Sequence, residues 1–231
     1  HEVSKNSNLH LALHYTYGRG YYEQFREDDN LFNYYNILEN KEIDLVRRRW
    51  LDNHFYGITY SFFKKMDNGE LNIGGAINEY DGDHFGLIID PVIEIKEPYY
   101  FSKSFKTDYN IFFKYNFNIS KSTELFSDLQ IRGYTHKMKG NDNDKSEIDK
   151  DKSNIFLNPK IGLTSSLNEK VNLYGSVAVA NREPIRSDYI DSNIDPKHET
   201  LYDFEFGKNY SYKKGFLNSN IYLMEYVNQL I

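Results

Sequence analysis

The segment from Ser104 to Ile119 alternates between apolar and polar side chains with a period of two residues. Successive side chains of a β-strand point to opposite faces, so this pattern predicts a strand with one apolar and one polar face. With Thr107 as its one interruption, the apolar face carries Phe105, Tyr109, Ile111, Phe113, Tyr115, Phe117 and Ile119. With Phe112 as its one exception, the polar face carries Lys106, Asp108, Asn110, Lys114, Asn116 and Asn118. A strand of this length and composition is typical of a barrel wall that has lipid on one side and a wet lumen on the other.

The bulk composition excludes one class of membrane protein. The mean hydropathy is -0.71, and no apolar run approaches the roughly 20 residues that a membrane-spanning helix needs. A barrel strand averages to a polar segment, so a barrel stays possible. Aromatic residues make up 16% of the chain, which fits either aromatic girdles at two membrane interfaces or a Tyr-rich soluble β protein. Composition alone leaves both interpretations open.

The charge and the cysteine content exclude further classes of protein. The chain has no cysteine, which excludes disulfide scaffolds and Cys-based metal or redox sites. The net charge of -6 argues against a nucleic-acid partner, which would favour a basic patch. The chain begins at His1 without a signal-peptide pattern, so we expect the N-terminus of a longer protein to precede it.

The two-residue period recurs along the chain and predicts about nine strands, with no convincing helical period. They are centred on residues 9–17, 58–62, 71–78, 104–119, 128–132, 157–167, 171–179, 201–212 and 216–228. Pro159 falls inside one of them and cannot donate to a β-ladder, so we expect a local irregularity there.

The connections between these strands alternate in length. Short, turn-like links are predicted at residues 66–69, 120–122, 168–170 and 213–215, and long polar links at residues 18–52, 81–103, 137–153 and 181–199. Short periplasmic turns on one rim and long extracellular loops on the other are typical of outer-membrane barrels and favour that fold over a soluble sandwich. An odd strand number, and a pattern that still continues near Ile231, predict a piece of a larger barrel with two unpaired edges.

Several strings resemble the barrel domain of TonB-dependent outer-membrane receptors in the form common in Bacteroidetes. They occur in the expected order at residues 50–57, 80–86, 158–163, 180–189 and 222–230. The most specific is Asn181-Arg182-Glu183-Pro184 with its following Arg186 and Asp188.

The resemblance implies a barrel of about 22 strands around an N-terminal plug domain. Residues 1–231 would then be part of the barrel domain, without the plug, the TonB box or the closing C-terminal strands. It further implies energy-coupled uptake of a scarce ligand across the outer membrane of a Gram-negative bacterium, with an iron-siderophore complex as the first expectation. Cobalamin and glycan importers share this barrel. The implied partners are the lipid bilayer, the TonB complex through the plug, and the small-molecule ligand.

Candidate ligand-binding residues lie in the predicted loops and on the polar face. At the mouth and lumen of the barrel they are Asp81, Asp83, His84, Arg182, Glu183, Arg186, Lys106 and Asn110. Each has a simpler interpretation: the charges of residues 182–188 can pair with neighbouring strands, and residues 81–84 can form a turn held by Asp and Gly. The run from Asn141 to Ser146 resembles the start of a calcium loop but lacks its glycine and glutamate, so we interpret it as a solvated loop.

Two other classes of function remain. An outer-membrane barrel lipase or protease would need a catalytic Ser or Asp-His set at the outer rim, and a soluble β-sandwich or adhesin module would bind surfaces. The sequence contains no nucleophile elbow, phosphate loop or metalloprotease helix. We therefore expect a transport protein without enzymatic activity, metal site or cofactor.

Overall fold

The computed structural model describes residues 2–35, 42–89, 95–192 and 194–230, which form one antiparallel sheet of ten strands. Each strand pairs with its neighbours in sequence, so the sheet is open, with β1 and β10 as its terminal strands. The strands are β1 Glu2–Ser4, β2 Ser7–Asn30, β3 Glu42–Met66, β4 Gly69–Ile89, β5 Tyr100–Asn118, β6 Thr123–Asn141, β7 Glu147–Asn168, β8 Val171–Arg182, β9 Glu199–Tyr212 and β10 Gly215–Val227. Nine are long, as predicted, and the three-residue β1 is additional. The all-β antiparallel fold class is confirmed.

Short turns lie together at one rim of the sheet, which we call the short-turn rim. They comprise residues 5–6, 67–68, 119–122, 169–170 and 213–214. The last four were predicted from Asn, Gly and Ser in the sequence, which supply tight-turn geometry. Ile119 lies at this rim and Ser104 lies toward the opposite one, as the sequence predicts. At its C-terminal end, β10 stops at Val227, earlier than predicted, and Ile231 lies outside the described residues.

The opposite rim, which we call the tall rim, is built mainly from paired strands. Most of the predicted long links are therefore wrong in their bounds. β2 and β3 stay paired as far as Asn30 and Glu42, and β6 and β7 leave only residues 142–146 between them. Polar and aromatic cross-strand pairs stabilise the upper parts of these strands. The strands therefore continue beyond the residues in which apolar and polar side chains alternate. Residues 36–41 and 90–94 of two predicted links lie outside the described part of the chain.

One face of the sheet carries a continuous belt of exposed apolar side chains, and we call it the band face. Direct cross-strand partners share a face, and one row runs from Leu9 through Phe62, Ile73 and Phe113 to Leu129. Phe113 and Leu129 are 44% and 41% exposed, so nothing in the described structure covers this face. The belt, called the apolar band, includes Leu11, Leu13, Ile58, Ile77, Tyr109, Ile111, Ile131, Leu157, Ile161, Leu163, Val177, Phe204, Phe206, Ile221 and Leu223.

The two buried apolar clusters lie toward the tall rim, in parts of the chain that the sequence predicted as links. Two short helices occur there, α1 Phe32–Tyr35 and α2 Arg186–Asp191. One cluster joins α1 to the tops of β3, β4 and β5, and it contains Leu31, Tyr34, Leu45, Ile88, Tyr99 and Tyr100. The other joins α2 to β6 and β7, and it contains Met138, Ile148 and Tyr189. Within the described residues, no helix has the length and apolar character needed to cross a membrane.

The irregularity predicted at Pro159 marks the place where the β7–β8 ladder ends. Lys160 pairs with Ala178, and no β8 partner follows for the part of β7 on the tall-rim side of Lys160. Side chains bridge the gap beyond it: the Asn181 N–H donates to Asn158 Oδ1 at 3.0 Å, and Asn181 Nδ2 donates to the Leu157 carbonyl at 3.1 Å. Proline, which lacks an N–H, is thus tolerated at the end of a ladder.

Candidate ligand-contact surface

The face opposite the apolar band carries a polar surface on β5 and β6. The alternation of β5 places Lys106, Asp108 and Asn110 on this face, and their direct partners on β6 are His136, Tyr134 and Arg132. We call it the strap face, because the segment that follows β8 lies against it. The strap is defined as residues 183–198, of which residue 193 is not described.

Glu183, the first residue of the strap, is the centre of an ion network. Its Oε1 accepts hydrogen bonds from Lys106 Nζ and from Arg132 NH2, each at 2.6 Å. Arg132 also binds Asp108. Glu183 is only 8% exposed, and its Oε2 is buried with no hydrogen-bond partner in the described structure. The hydrogen bonds from these two cations to one buried carboxylate fix the start of the strap over β5 and β6.

Arg186 attaches the strap to the tip of the β6–β7 hairpin. Its guanidinium donates to Ser102 Oγ at 3.1 Å and to Asp142 Oδ1 at 3.4 Å. Asp142 is buried, so the interpretation of residues 141–146 as a solvated loop is wrong for this residue. The loop closes on itself through the Asp142 N–H, which donates to the Ser146 carbonyl at 2.9 Å. Asp142 in this loop accepts a hydrogen bond from Arg186, and the loop is not part of a calcium site.

Tyr189 completes the attachment from α2. Its hydroxyl lies 3.0 Å from that of Tyr134, and Lys152 Nζ lies 5.7 Å from the centre of its ring. Burial, together with the hydrogen bond to Tyr134, raises the pKa of the Tyr189 hydroxyl. Lys152 also pairs with Asp195 of the strap at 2.5 Å, and this bond lowers the pKa of the Asp195 carboxyl. The strap is therefore held by ion pairs toward both ends and, between them, by the hydroxyl and the ring of Tyr189.

The structure brings together four of the candidate site residues. Lys106, Glu183 and Arg186 belong to the network just described, and Asn110 lies on the same face, directly opposite Arg132. This agrees with the simpler interpretation, in which the motif charges pair with neighbouring strands. Arg182 stays more exposed, with its side chain 4.0 Å from Glu199 on the neighbouring strand.

The other three candidates do not form one site. His84 lies on the strap face, directly opposite Ser102. Asp81 and Asp83 lie on the band face, where Lys103 Nζ contacts them at 3.0 and 3.8 Å. All three belong to the regular strand β4, so the predicted turn at residues 81–84 is not present. Asp81 and Asp83 therefore point away from the surface that contains the strap.

The sequence did not point to three residues that contact the strap: Ser102, Tyr134 and Asp142. Tyr134 falls on the polar side of β6, whose alternation is visible, but its partner Tyr189 is 55 residues away. Only the path of the strap, which brings α2 back over β6, reveals that contact. Ser102 and Asp142 lay inside links that were predicted as loops, so no face could be assigned to them.

The Ser and His side chains of the surface do not form a catalytic triad in the described structure. Ser104 Oγ and His136 Nε2 lie 2.8 Å apart, but both residues are buried, and in the described chain His136 has no carboxylate partner to complete a triad. No group of three or more His, Asp or Glu side chains among the described residues could hold a metal ion. The exposed polar groups of this face are hydrogen-bond donors and acceptors that could contact a ligand or a polypeptide.

No family model matches the chain, and no curated protein matches it. Solved structures do. The copper transporter OprC superposes with a TM-score of 0.76 at 14% identity, over 96% of this chain and 36% of that protein. The siderophore receptor PiuA from Acinetobacter baumannii gives a TM-score of 0.69 at 14% identity, over 96% and 38%. The ferric citrate transporter FecA gives 0.67 at 9% identity, over 97% and 33%.

These similarities establish the fold. The chain has the fold of part of the β-barrel of these proteins. It spans about a third of the length of the structures that it matches.

Proposed function

We propose that this chain forms part of the wall of a TonB-dependent outer-membrane receptor that takes up a scarce ligand. The observation that carries the proposal is a single sheet with a continuous exposed apolar band on one face and a buried ion network on the other. A sheet with such faces fits a wall between lipid and a lumen. In this arrangement the short-turn rim is periplasmic and the tall rim is extracellular.

An iron-siderophore complex is the ligand that we propose first. The fold is shared with a siderophore receptor and a ferric citrate transporter, and also with the ferric yersiniabactin uptake receptor FyuA from Yersinia pestis. These proteins are transporters and receptors, which supports a role without enzymatic activity. A plug domain inside the barrel and coupling to TonB belong to the proposal through the resemblance of residues 180–189 and the other motif strings.

Within this proposal the strap shapes the lumen. Glu183 and Arg186 hold the strap in place, while Asn110, Arg182 and His84 lie on the strap face with groups that can contact a ligand or the plug. Asp81 and Asp83 would contribute only on the exterior, because they share the face of the apolar band.

Uptake in cells tests this function. The full-length gene is deleted and restored, and accumulation of a radiolabelled ferric siderophore, cobalamin and an oligosaccharide is measured with and without a proton uncoupler. We expect uncoupler-sensitive accumulation of the iron complex only in the restored strain. Uptake of cobalamin or the oligosaccharide instead would replace the ligand, and uptake of none of the three, or recovery of the protein in the soluble fraction, would overturn the proposal.

A further inference from the structure

A cleft of about 540 Å³ lies on the strap face, in the tall-rim half of β2, β3 and β4. We call it the Arg49 cleft. Three rows of direct cross-strand partners supply most of its lining, and they are Gly18–Asn53–Gly82, Gly20–Leu51–His84 and Tyr22–Arg49–Gly86–Tyr100. A Cβ at Gly20 would meet no atom within 4 Å, so the space above this residue is open. The cleft is therefore formed where β2 has glycine and its neighbours carry side chains.

Arg49 lines this cleft, and two tyrosines orient it. Its Nε lies 3.5 Å from the Tyr100 hydroxyl. The guanidinium carbon lies 5.6 Å from the centre of the Tyr22 ring and 5.9 Å from the centre of the Tyr100 ring. Cation–π contacts of this kind fix the position of a guanidinium without neutralising its charge. The positive charge of Arg49 is therefore fixed beside open space.

Arg49 also differs from most arginines of the chain, because it forms no ion pair with another described residue. The arginines that each pair with a carboxylate are Arg19, Arg26, Arg48, Arg132, Arg182 and Arg186. Arg47 is the other exception, two residues away on the same face of β3. It is 8% exposed, and its Nε is buried with no hydrogen-bond partner in the described structure. Two neighbouring cations without a counter-charge favour the binding of an anion.

The chemistry of the cleft fits a carboxylate. A guanidinium presents a planar fork of N–H donors that binds a carboxylate through two parallel hydrogen bonds. Arg49 is the one unpaired cation among the described residues that line the cleft, since Arg19 pairs with Asp52. One such cation matches the single charge of a carboxylate better than the charge of about −1.5 to −2 on a phosphate monoester. Asn53 and His84 supply hydrogen-bonding groups for other oxygens of the same ligand.

We propose that the Arg49 cleft binds a carboxylate group of the transported ligand. The inference rests on the proposed function, because that function makes the strap face the wall of the lumen. It narrows the ligand from iron complexes in general to those built with carboxylates. Arg49 would hold the carboxylate through both arms of its guanidinium, while Tyr22 and Tyr100 keep the fork in place.

Calorimetric titration of the full-length protein in detergent tests the inference. The probes are ferric citrate, in which carboxylates bind the iron, and a ferric trihydroxamate complex, which has no carboxylate. We expect saturable binding of ferric citrate and none of the trihydroxamate. Arg49→Gln should weaken the binding roughly 10- to 100-fold, as expected for the loss of a charge-assisted hydrogen bond. Arg49→Lys keeps the charge but not the fork, so it should restore only part of the affinity.

Arg48→Gln is the matched control. Arg48 is the adjacent residue of β3, so this change removes the same charge from the opposite face, where Arg48 pairs with Glu23. We expect its affinity for ferric citrate to equal that of the unmodified protein. Gly20→Leu fills the open side of the cleft without any change of charge and should abolish binding. This second variant keeps the test decisive if Arg49→Gln does not fold.

Three results would overturn the inference. They are no binding of ferric citrate up to millimolar concentrations, binding of the trihydroxamate as tight as that of ferric citrate, and equal losses for Arg49→Gln and Arg48→Gln. Uptake in cells is a separate readout of the proposed function. A protein that accumulates the trihydroxamate complex and does not bind ferric citrate therefore contradicts this inference alone.

Discussion

Glu183 Oε1 lies 2.6 Å from Lys106 Nζ, although 77 positions of the chain separate the two residues. The contact closes the strap onto β5, and Arg132 NH2 joins the same oxygen from β6. In the sequence, residues 182–188 look like a ligand-binding loop. In the structure, Glu183 of this motif attaches the strap to β5 and β6.

Removal of the Glu183 ion pairs should destabilise the folded sheet. Glu183→Ala leaves the partly buried Lys106 without its counter-charge and Arg132 with Asp108 alone, so we expect the free energy of unfolding to fall by about 3 kcal/mol. Glu183→Gln should cost less, because the amide oxygen can still accept both hydrogen bonds. Urea titration of the refolded full-length barrel, followed by its shift in electrophoretic mobility, measures both variants. The exposed turn residue Glu169 provides the control, and a loss for Glu169→Ala as large as that for Glu183→Ala would contradict the prediction.

The attachment of the strap should weaken in alkali. The pKa of the Tyr189 hydroxyl is raised by burial and by Tyr134, so the neutral phenol is favoured in the folded state. The stabilisation is complete below the ordinary tyrosine pKa of about 10 and is lost as the pH rises above it. Hydrogen–deuterium exchange of peptides from residues 183–192 should accelerate beyond its intrinsic pH dependence above about pH 10.

Tyr189→Phe separates the contribution of the Tyr189 hydroxyl from other effects of alkali on the strap. The phenylalanine variant has no hydroxyl to ionise, so its strap should show no added exchange near that pH. The same acceleration in both proteins would disprove the role of the Tyr189 hydroxyl.

The strands could be predicted from the sequence because their alternation is local. The segment from Ser104 to Ile119 displays both of its faces within sixteen residues, and the structure places residues 104–118 in β5 with those faces. The upper parts of the strands could not be predicted in this way. Between Gly18 and Asn30 apolar and polar residues no longer alternate, and pairing with β3 alone holds the strand.

The site was only partly predictable for a related reason. Residues 180–189 drew attention to Glu183 and Arg186, but their partners Arg132 and Asp142 are set by the register of β6 and by the return of the strap. Asp83 and His84 illustrate the limit of a motif. They are adjacent in sequence and therefore lie on opposite faces of β4, so no strand can bring both to one ligand.

The two faces should differ sharply in their tolerance of charge. Phe113 and Val177 lie in the apolar band, and an arginine at either position should cost about 2–4 kcal/mol near the bilayer midplane. Asn110→Arg, on the opposite face of β5, should cost little. Unfolding of the full-length protein from lipid vesicles measures all three variants. Equal losses at Phe113 and Asn110 would show that the faces are wrongly assigned.

The tip of the β6–β7 hairpin should require a glycine at position 140. Gly140 has a φ of +127°, which side chains of L-residues rarely adopt, and a Cβ there would lie 2.3 Å from the Phe101 carbonyl oxygen. Since that neighbour is backbone of the paired strand β5, it cannot rotate away. Gly140→Ala should therefore lower the free energy of unfolding by about 1–3 kcal/mol and loosen the nearby contact between Arg186 and Asp142. Gly20→Ala is the control, because a Cβ at Gly20 meets nothing within 4 Å, and we expect its urea midpoint to match that of the unmodified protein. If the two alanine variants unfold at the same urea concentration, backbone strain at Gly140 is not what shapes this hairpin.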